Sequence, residues 1–161
     1  MQSRFWRVYE GIVNGVAVTL FFAMVTITVI AIFFRYVLNA ALPWAEEADR
    51  YLFIWLSLVG ASITMRRKAH IAVDVLVRYL NPRLQNTAAL LSQACVMAFL
   101  GVVFWASWPV IEVTSHTRTT ATDIPMSWIY LSVPVGCVLI AIETLRLMSQ
   151  TWKKRKEGET A

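Results

Sequence analysis

The chain has 161 residues, room for one domain. Apolar residues make up 58% of it and charged residues 16%, against roughly 25% charged in soluble domains. One soluble core of this size cannot hide so much apolar surface, which excludes a soluble enzyme, a nucleic-acid module and a disordered tail. What remains is an all-α integral membrane protein, a single membrane domain over 1–161. The net charge of +5 gathers at the edges of the apolar runs and forms no basic stripe interleaved with aromatics.

The first apolar run covers residues 11–34, behind Arg4 and Arg7. It exceeds the roughly 7–15 residues of a signal-peptide core, so it reads as a retained span. The next charge-free run, 51–65, falls short of the roughly 20 residues that cross a bilayer. Pro43 suits a helical first turn, and from 43 to 65 the segment is long enough. Glu46, Glu47, Asp49 and Arg50 then sit at the interface. Arg50 is spaced to pair with Glu46 at i, i+4 or with Glu47 at i, i+3. Adjacent carboxylates on a helix point about 100° apart, so Glu46 and Glu47 make no acid–base pair, and no catalytic residue is expected.

Residues 70–80 are too few to cross. His70, Asp74 and Arg78 fall on one stripe with apolar residues around the rest. This predicts a short amphipathic helix on the cytoplasmic interface, flanked by Arg66, Arg67 and Lys68, serving either as a docking surface or as a plain connector. Asn81-Pro82 ends it and starts the next span. The third span is 84–111, whose strongest polar groups, Ser92 and Gln93, suit interhelical hydrogen bonds. A polar, Thr-rich outer loop leads to the fourth span, 124–142, in which Pro134 and Gly136 allow a kink. The tail, 153–161, is charged.

Lys/Arg asymmetry sets the orientation. With the N-terminus cytoplasmic, the inner side holds Arg4, Arg7, Arg66, Arg67, Lys68, Arg78, Arg83, Arg146, Lys153, Lys154, Arg155 and Lys156. The outer side holds only Arg35, Arg50 and Arg118, and both termini lie inside. Trp6 and Trp152 fall at the inner boundary and Trp44, Trp105, Trp108 and Trp128 at the outer one, where amphipathic rings prefer to lie. Trp55 is left within a span.

None of the four spans carries an ionisable residue in its interior, where a self-sufficient channel or transporter keeps its functional groups. Cys95 and Cys137 lie in apolar runs as small hydrophobes, with neither a disulfide nor a metal role. His70 and His116 sit at the surface, so no span offers a haem ligand. Gly11 with Gly15, Ser57 with Ala61, and Ala94 with Ala98 have the four-residue spacing of close helix packing. No substrate, metal or cofactor site is expected.

From Arg35 to Leu76 the chain reads Arg35-Tyr36, Asn39, then Trp44-Ala-Glu46-Glu47-Ala-Asp-Arg50-Tyr51-Leu52-Phe53-Ile-Trp55. It continues through Gly60-Ala61 and Arg66 to His70-Ile71-Ala-Val73-Asp74-Val-Leu76. Ile124-Pro125-Met126-Ser-Trp128-Ile-Tyr130 and Pro134-Val-Gly136 follow. Order, spacing and length resemble the small membrane subunit of the tripartite ATP-independent periplasmic (TRAP) transporters; Ala48-Asp49 departs from the more apolar pair expected there. The resemblance implies a multi-pass protein of the bacterial inner membrane with a large membrane subunit and a periplasmic substrate-binding protein as partners. Together they import organic anions, often carboxylates, on a sodium gradient, with substrate and sodium held by the large subunit as it moves like an elevator. The small subunit braces the stationary scaffold. Carried over as structural or partner-contact residues are Arg35, Trp44, Glu46, Glu47, Arg50, Trp55, His70 and Asp74. Two other readings, a self-contained four-helix transporter and an enzyme's membrane anchor, lack respectively an embedded carboxylate in the first span and histidine ligands.

Overall fold

Both prolines flagged as helix starts do open helices. A computed structural model describes residues 4–66 and 82–159. In it α1 covers Arg4–Tyr36, α2 Pro43–Arg66, α3 Pro82–Thr114, α4 the single turn Ser127–Tyr130, and α5 Ser132–Glu159. The described residues are thus all-helical apart from one isolated bridge between Arg118 and Pro125. Three stretches are long and apolar enough to cross a membrane: Trp6–Tyr36, Thr87–Thr114 and Ser127–Trp152. The expected interfacial helix at 70–80 lies outside the described residues.

Tight outer turns put sequence neighbours side by side. α1 ends where Asn39 takes a left-handed backbone, φ 50°, a conformation asparagine tolerates. The Ala40 N–H then reaches back to the Phe34 carbonyl at 3.0 Å. Only residues 37–42 separate α1 from α2, so the two pack antiparallel. Between α3 and α4 the chain folds back on itself, with the Thr119 N–H on Ile124 O (3.0 Å) and the Met126 N–H on Thr117 O (2.9 Å). Asp123 supplies the second left-handed residue, φ 53°. The fourth apolar segment therefore begins with a loop and a short turn, and its long helix starts at Ser132. Pro134 falls in that helix's first turn, where proline is tolerated.

The helices form a row. α1 packs on α2, α2 also on α5, and α5 also on α3, while α1 and α3 share no backbone contact. Among α1's described side chains only Val13 is buried. α5, held between two neighbours, buries Ser132, Pro134, Gly136, Cys137, Glu143, Thr144 and Leu147.

Small and hydroxylated residues build the contacts. Ser62, Ser132 and Thr144 are fully buried, and each hydroxyl donates to a carbonyl one turn back: Val59 (2.7 Å), Ile129 (2.5 Å) and Ile140 (2.8 Å). A hydroxyl satisfied on its own helix leaves no polar group stranded and lets backbones approach. The pairs singled out by spacing do not do this within the chain. Gly11, Gly15, Ser57, Ala61, Ala94 and Ala98 are all exposed, and a Cβ added at Gly11 or Gly15 would meet nothing within 4 Å. Spacing placed each pair on one face, but the covered faces are others. Gln93 does reach across, its amide donating to Thr151 of α5 at 3.5 Å.

At Gly136 α2 and α5 approach closely: a Cβ there would lie 2.8 Å from the Leu58 Cβ. Gly136→Val is expected to lower stability in detergent by about 1–3 kcal/mol through overpacking. Gly101→Val, where a Cβ meets open space, is expected to cost less than 1 kcal/mol, because valine exceeds glycine in helix propensity. Thermal melts of the two variants compare them directly.

Candidate functional site

At the end of the row that the Lys/Arg asymmetry leads one to expect on the cytoplasmic side, the inner end, three helices bring four charges together. Glu10 comes from α1, Arg66 from the last turn of α2, and Glu143 and Arg146 from α5. Arg146 Nη1 contacts Glu10 Oε1 at 2.6 Å, and Arg66 Nε contacts Glu143 Oε1 at 3.1 Å. Arg66 Nη1 also approaches Glu10 Oε2 at 3.9 Å, and Arg146 Nη1 approaches Glu143 Oε2 at 3.8 Å. Each carboxylate is thus flanked by both guanidiniums in an alternating ring with no net charge. The Glu143 side chain is fully buried, and Arg146, Arg66 and Glu10 are 12%, 14% and 22% exposed. Trp6 covers the ring, its face 4.4 Å from the Arg146 guanidinium, a cation–π contact.

The reason for a ring is energetic. Moving a single charge out of water costs several kcal/mol even after relaxation, and mutual attraction offsets this only when geometry and partners are good. Alternating signs give every member two opposite neighbours. Guanidinium does not deprotonate in proteins, and each carboxylate faces two of them, although Glu143 Oε2 and Arg66 Nη2 make no hydrogen bond among the described residues. The ring ties α1 to α5, which the backbones alone do not.

The sequence put Arg66 and Arg146 among the inner surface charges and left Glu10 and Glu143 just beyond the ends of two spans. Both helices instead run on through those positions, and burial continues with them. A signal was present: two acids and two bases flank three apolar runs on one membrane side, with Glu143 and Arg146 at i, i+3.

At the outer end, the candidate residues separate. Arg35, in the last turn of α1, pairs with Glu46 of α2. Glu47 crosses to the outer loop, where its Oε2 accepts the Ala121 N–H (3.2 Å), the Thr122 N–H (2.9 Å) and the Thr122 hydroxyl (2.8 Å). With its proton on Glu47, Thr122 accepts from the Thr119 hydroxyl at 2.8 Å, and Thr119 in turn accepts the Ile124 N–H at 3.0 Å. Asp49 also turns inward and accepts the Thr28 hydroxyl of α1 at 2.8 Å. The departure at Ala48-Asp49 is therefore an α1–α2 contact.

The expected Glu46–Arg50 and Glu47–Arg50 pairs do not form, because partners from other segments take both carboxylates. Arg50 is exposed and makes no ion pair among the described residues. Trp44 is exposed and Trp55 half-buried; His70 and Asp74 lie outside the described residues. The structure thus joins Arg35 with Glu46, sends Glu47 to the loop and leaves Arg50 outward.

Three helical stretches long and apolar enough to cross a membrane, joined by internal polar contacts, define the class as a multi-pass membrane protein. Comparison with known proteins then places the chain. Residues 5–154 match the family described as tripartite ATP-independent periplasmic transporters, DctQ component, and the chain belongs to that family, a transport component and not an enzyme. It is similar to the C4-dicarboxylate TRAP transporter small permease protein DctQ of Vibrio cholerae serotype O1, 30% identical over 155 residues, covering 81% of this chain and 66% of the relative. The Sialic acid TRAP transporter small permease protein SiaQ of Vibrio cholerae serotype O1 is 24% identical over 139 residues, covering 86% and 80%. The Isethionate TRAP transporter permease protein DctMQ of Oleidesulfovibrio alaskensis is 29% identical over 109 residues, which are 66% of this chain but 17% of that one.

The ring yields a signed prediction. Arg146→Met strands Glu10 and leaves a buried excess of negative charge, so about 3–5 kcal/mol of stability should be lost. Adding Glu10→Gln leaves the neutral Arg66–Glu143 pair, and the double variant should be the more stable of the two. Unfolding in detergent, followed by the fluorescence of Trp6 and its fellow tryptophans, checks the order.

Proposed function

We propose that this chain is the small, non-conducting subunit of a sodium-coupled importer of organic anions, carboxylates being the class that its similarity to the C4-dicarboxylate relative supports. It braces the stationary part of a large permease subunit, which carries substrate and sodium, and a periplasmic binding protein delivers the substrate. In this reading α2 is a fourth span, since its 24 residues rise about 36 Å. Both termini face the cytoplasm of a bacterial inner membrane, as the Lys/Arg asymmetry favours. The fused permease from Oleidesulfovibrio, in which the matching part is 17% of the length, supports a much larger membrane partner.

The observation that carries the reading is where the helix charges go. Glu10, Arg66, Glu143, Arg146, Arg35, Glu46, Glu47 and Asp49 are all engaged within the chain, holding helix to helix or helix to loop. A conduit needs polar groups available to its cargo near midplane; a brace needs them locked.

Reconstitution in liposomes under an inward sodium gradient, with the binding protein and a labelled dicarboxylate supplied, tests this. The pair of membrane subunits is expected to take up the label, and neither subunit alone to do so at the same rate. Uptake by this chain alone, or full-rate uptake by the large subunit alone, would overturn the reading.

A further inference from the structure

Arg50 stands apart from the other charges of α2, each of which has a partner. It lies seven residues after Pro43 in α2, about 10 Å along the axis from the outer end. Its neighbours Glu46, Glu47 and Asp49 are engaged by Arg35, the outer loop and Thr28, while Arg50 has no carboxylate partner among the described residues. A charged side chain on a membrane-spanning helix normally faces a protein interior or a counter-charge. Arg50 instead faces out of this chain.

The surface beneath it is equally particular. α2 is flanked by α1 and α5, so little of its circumference is left uncovered. Below Glu46 the exposed positions are Arg50, Phe53, Ser57, Ala61 and Thr64, spaced three or four apart and hence on one face. The Ser57 and Thr64 hydroxyls donate to the Phe53 and Gly60 carbonyls at 2.7 and 3.0 Å. The face is therefore small and satisfied along its inner part, which permits a close helix approach, and it keeps one unmatched positive charge at its outer part.

We propose that this face of α2 receives a helix of the large permease subunit, and that a carboxylate on that helix pairs with Arg50. The inference rests on the functional reading above, which supplies the partner, and deepens it by naming the surface. Charge complementarity selects the occupant. A lipid tail offers Arg50 nothing, and a second copy of this chain would set Arg50 against Arg50 across a two-fold axis.

The test uses the full complex in membranes. A photo-crosslinking residue replaces Ser57 or Ala61 on the proposed face, or Val102 of α3, which is 68% exposed, as the comparison. After irradiation the adducts are identified by mass spectrometry. Expected are adducts from Ser57 and Ala61 to a permease homologous to the larger part of the fused relatives, and none from Val102. Arg50→Glu should lower co-purification of the large subunit at least tenfold at unchanged membrane insertion, and an acid-to-Arg change on the crosslinked helix should restore it. If the complex forms but Val102 crosslinks and Ser57 and Ala61 do not, the surface is wrong while the functional reading stands. Adducts from Ser57 or Ala61 to a second copy of this chain would also overturn the surface. If no large permease co-purifies with the unaltered chain, the functional reading fails first.

Discussion

Four charges at the inner end of the row cannot be separated cheaply. Glu143 is wholly buried, and its two nearest opposite charges come from α2 and from its own helix; Glu10 brings in α1. Displacing α1, α2 or α5 would leave a carboxylate or a guanidinium short of a partner away from water, which costs several kcal/mol. Helices in a bilayer lack a hydrophobic driving force toward one another, because lipid tails are as apolar as their side chains. The ring provides a cohesion that apolar surface cannot, and it does so where α1 and α5 have no backbone contact.

The outer end is closed by weaker but more numerous bonds. Arg35 and Glu46 join the first two helices, and the three hydrogen bonds to Glu47 hold the outer loop over α2. Between the two ends, buried serine, threonine and glycine pack among Val59, Leu100 and Cys137. A row pinned at both ends and close-packed at Gly136 resists bending. That is the mechanical property a stationary element needs beside a moving one, and it connects the polar contacts to the proposed role.

Much of this was legible in the sequence, and the parts that were not share one cause. Pro43 and Pro82 announced two helix starts because proline suits a first turn and little else in a helix. Apolar length gave the long helices. Periodicity correctly put Gly11 with Gly15 and Ser57 with Ala61 on common faces, yet it could not say whether a face is covered. Likewise i, i+4 spacing made Glu46–Arg50 available, but Arg35 and the outer loop offered partners from elsewhere in the fold and took the carboxylates. The inner ring was missed for the same reason. A charge at the end of an apolar run has one axial level and two readings, interface anchor or buried partner, and only the neighbouring helix decides between them.

The central claim is that this chain stays rigid while its complex works. Spin labels at Phe22 of α1 and Val138 of α5, both exposed, report the separation of α1 and α5 across α2 when Cys95 and Cys137 are replaced. Pulsed dipolar measurements on the assembled transporter, empty and then loaded with sodium and substrate, compare the two states. A brace gives one unchanged, narrow distance distribution in both states. A distribution that shifts or splits between the states would show that the row moves with the transport cycle, and would contradict the claim that it is a brace.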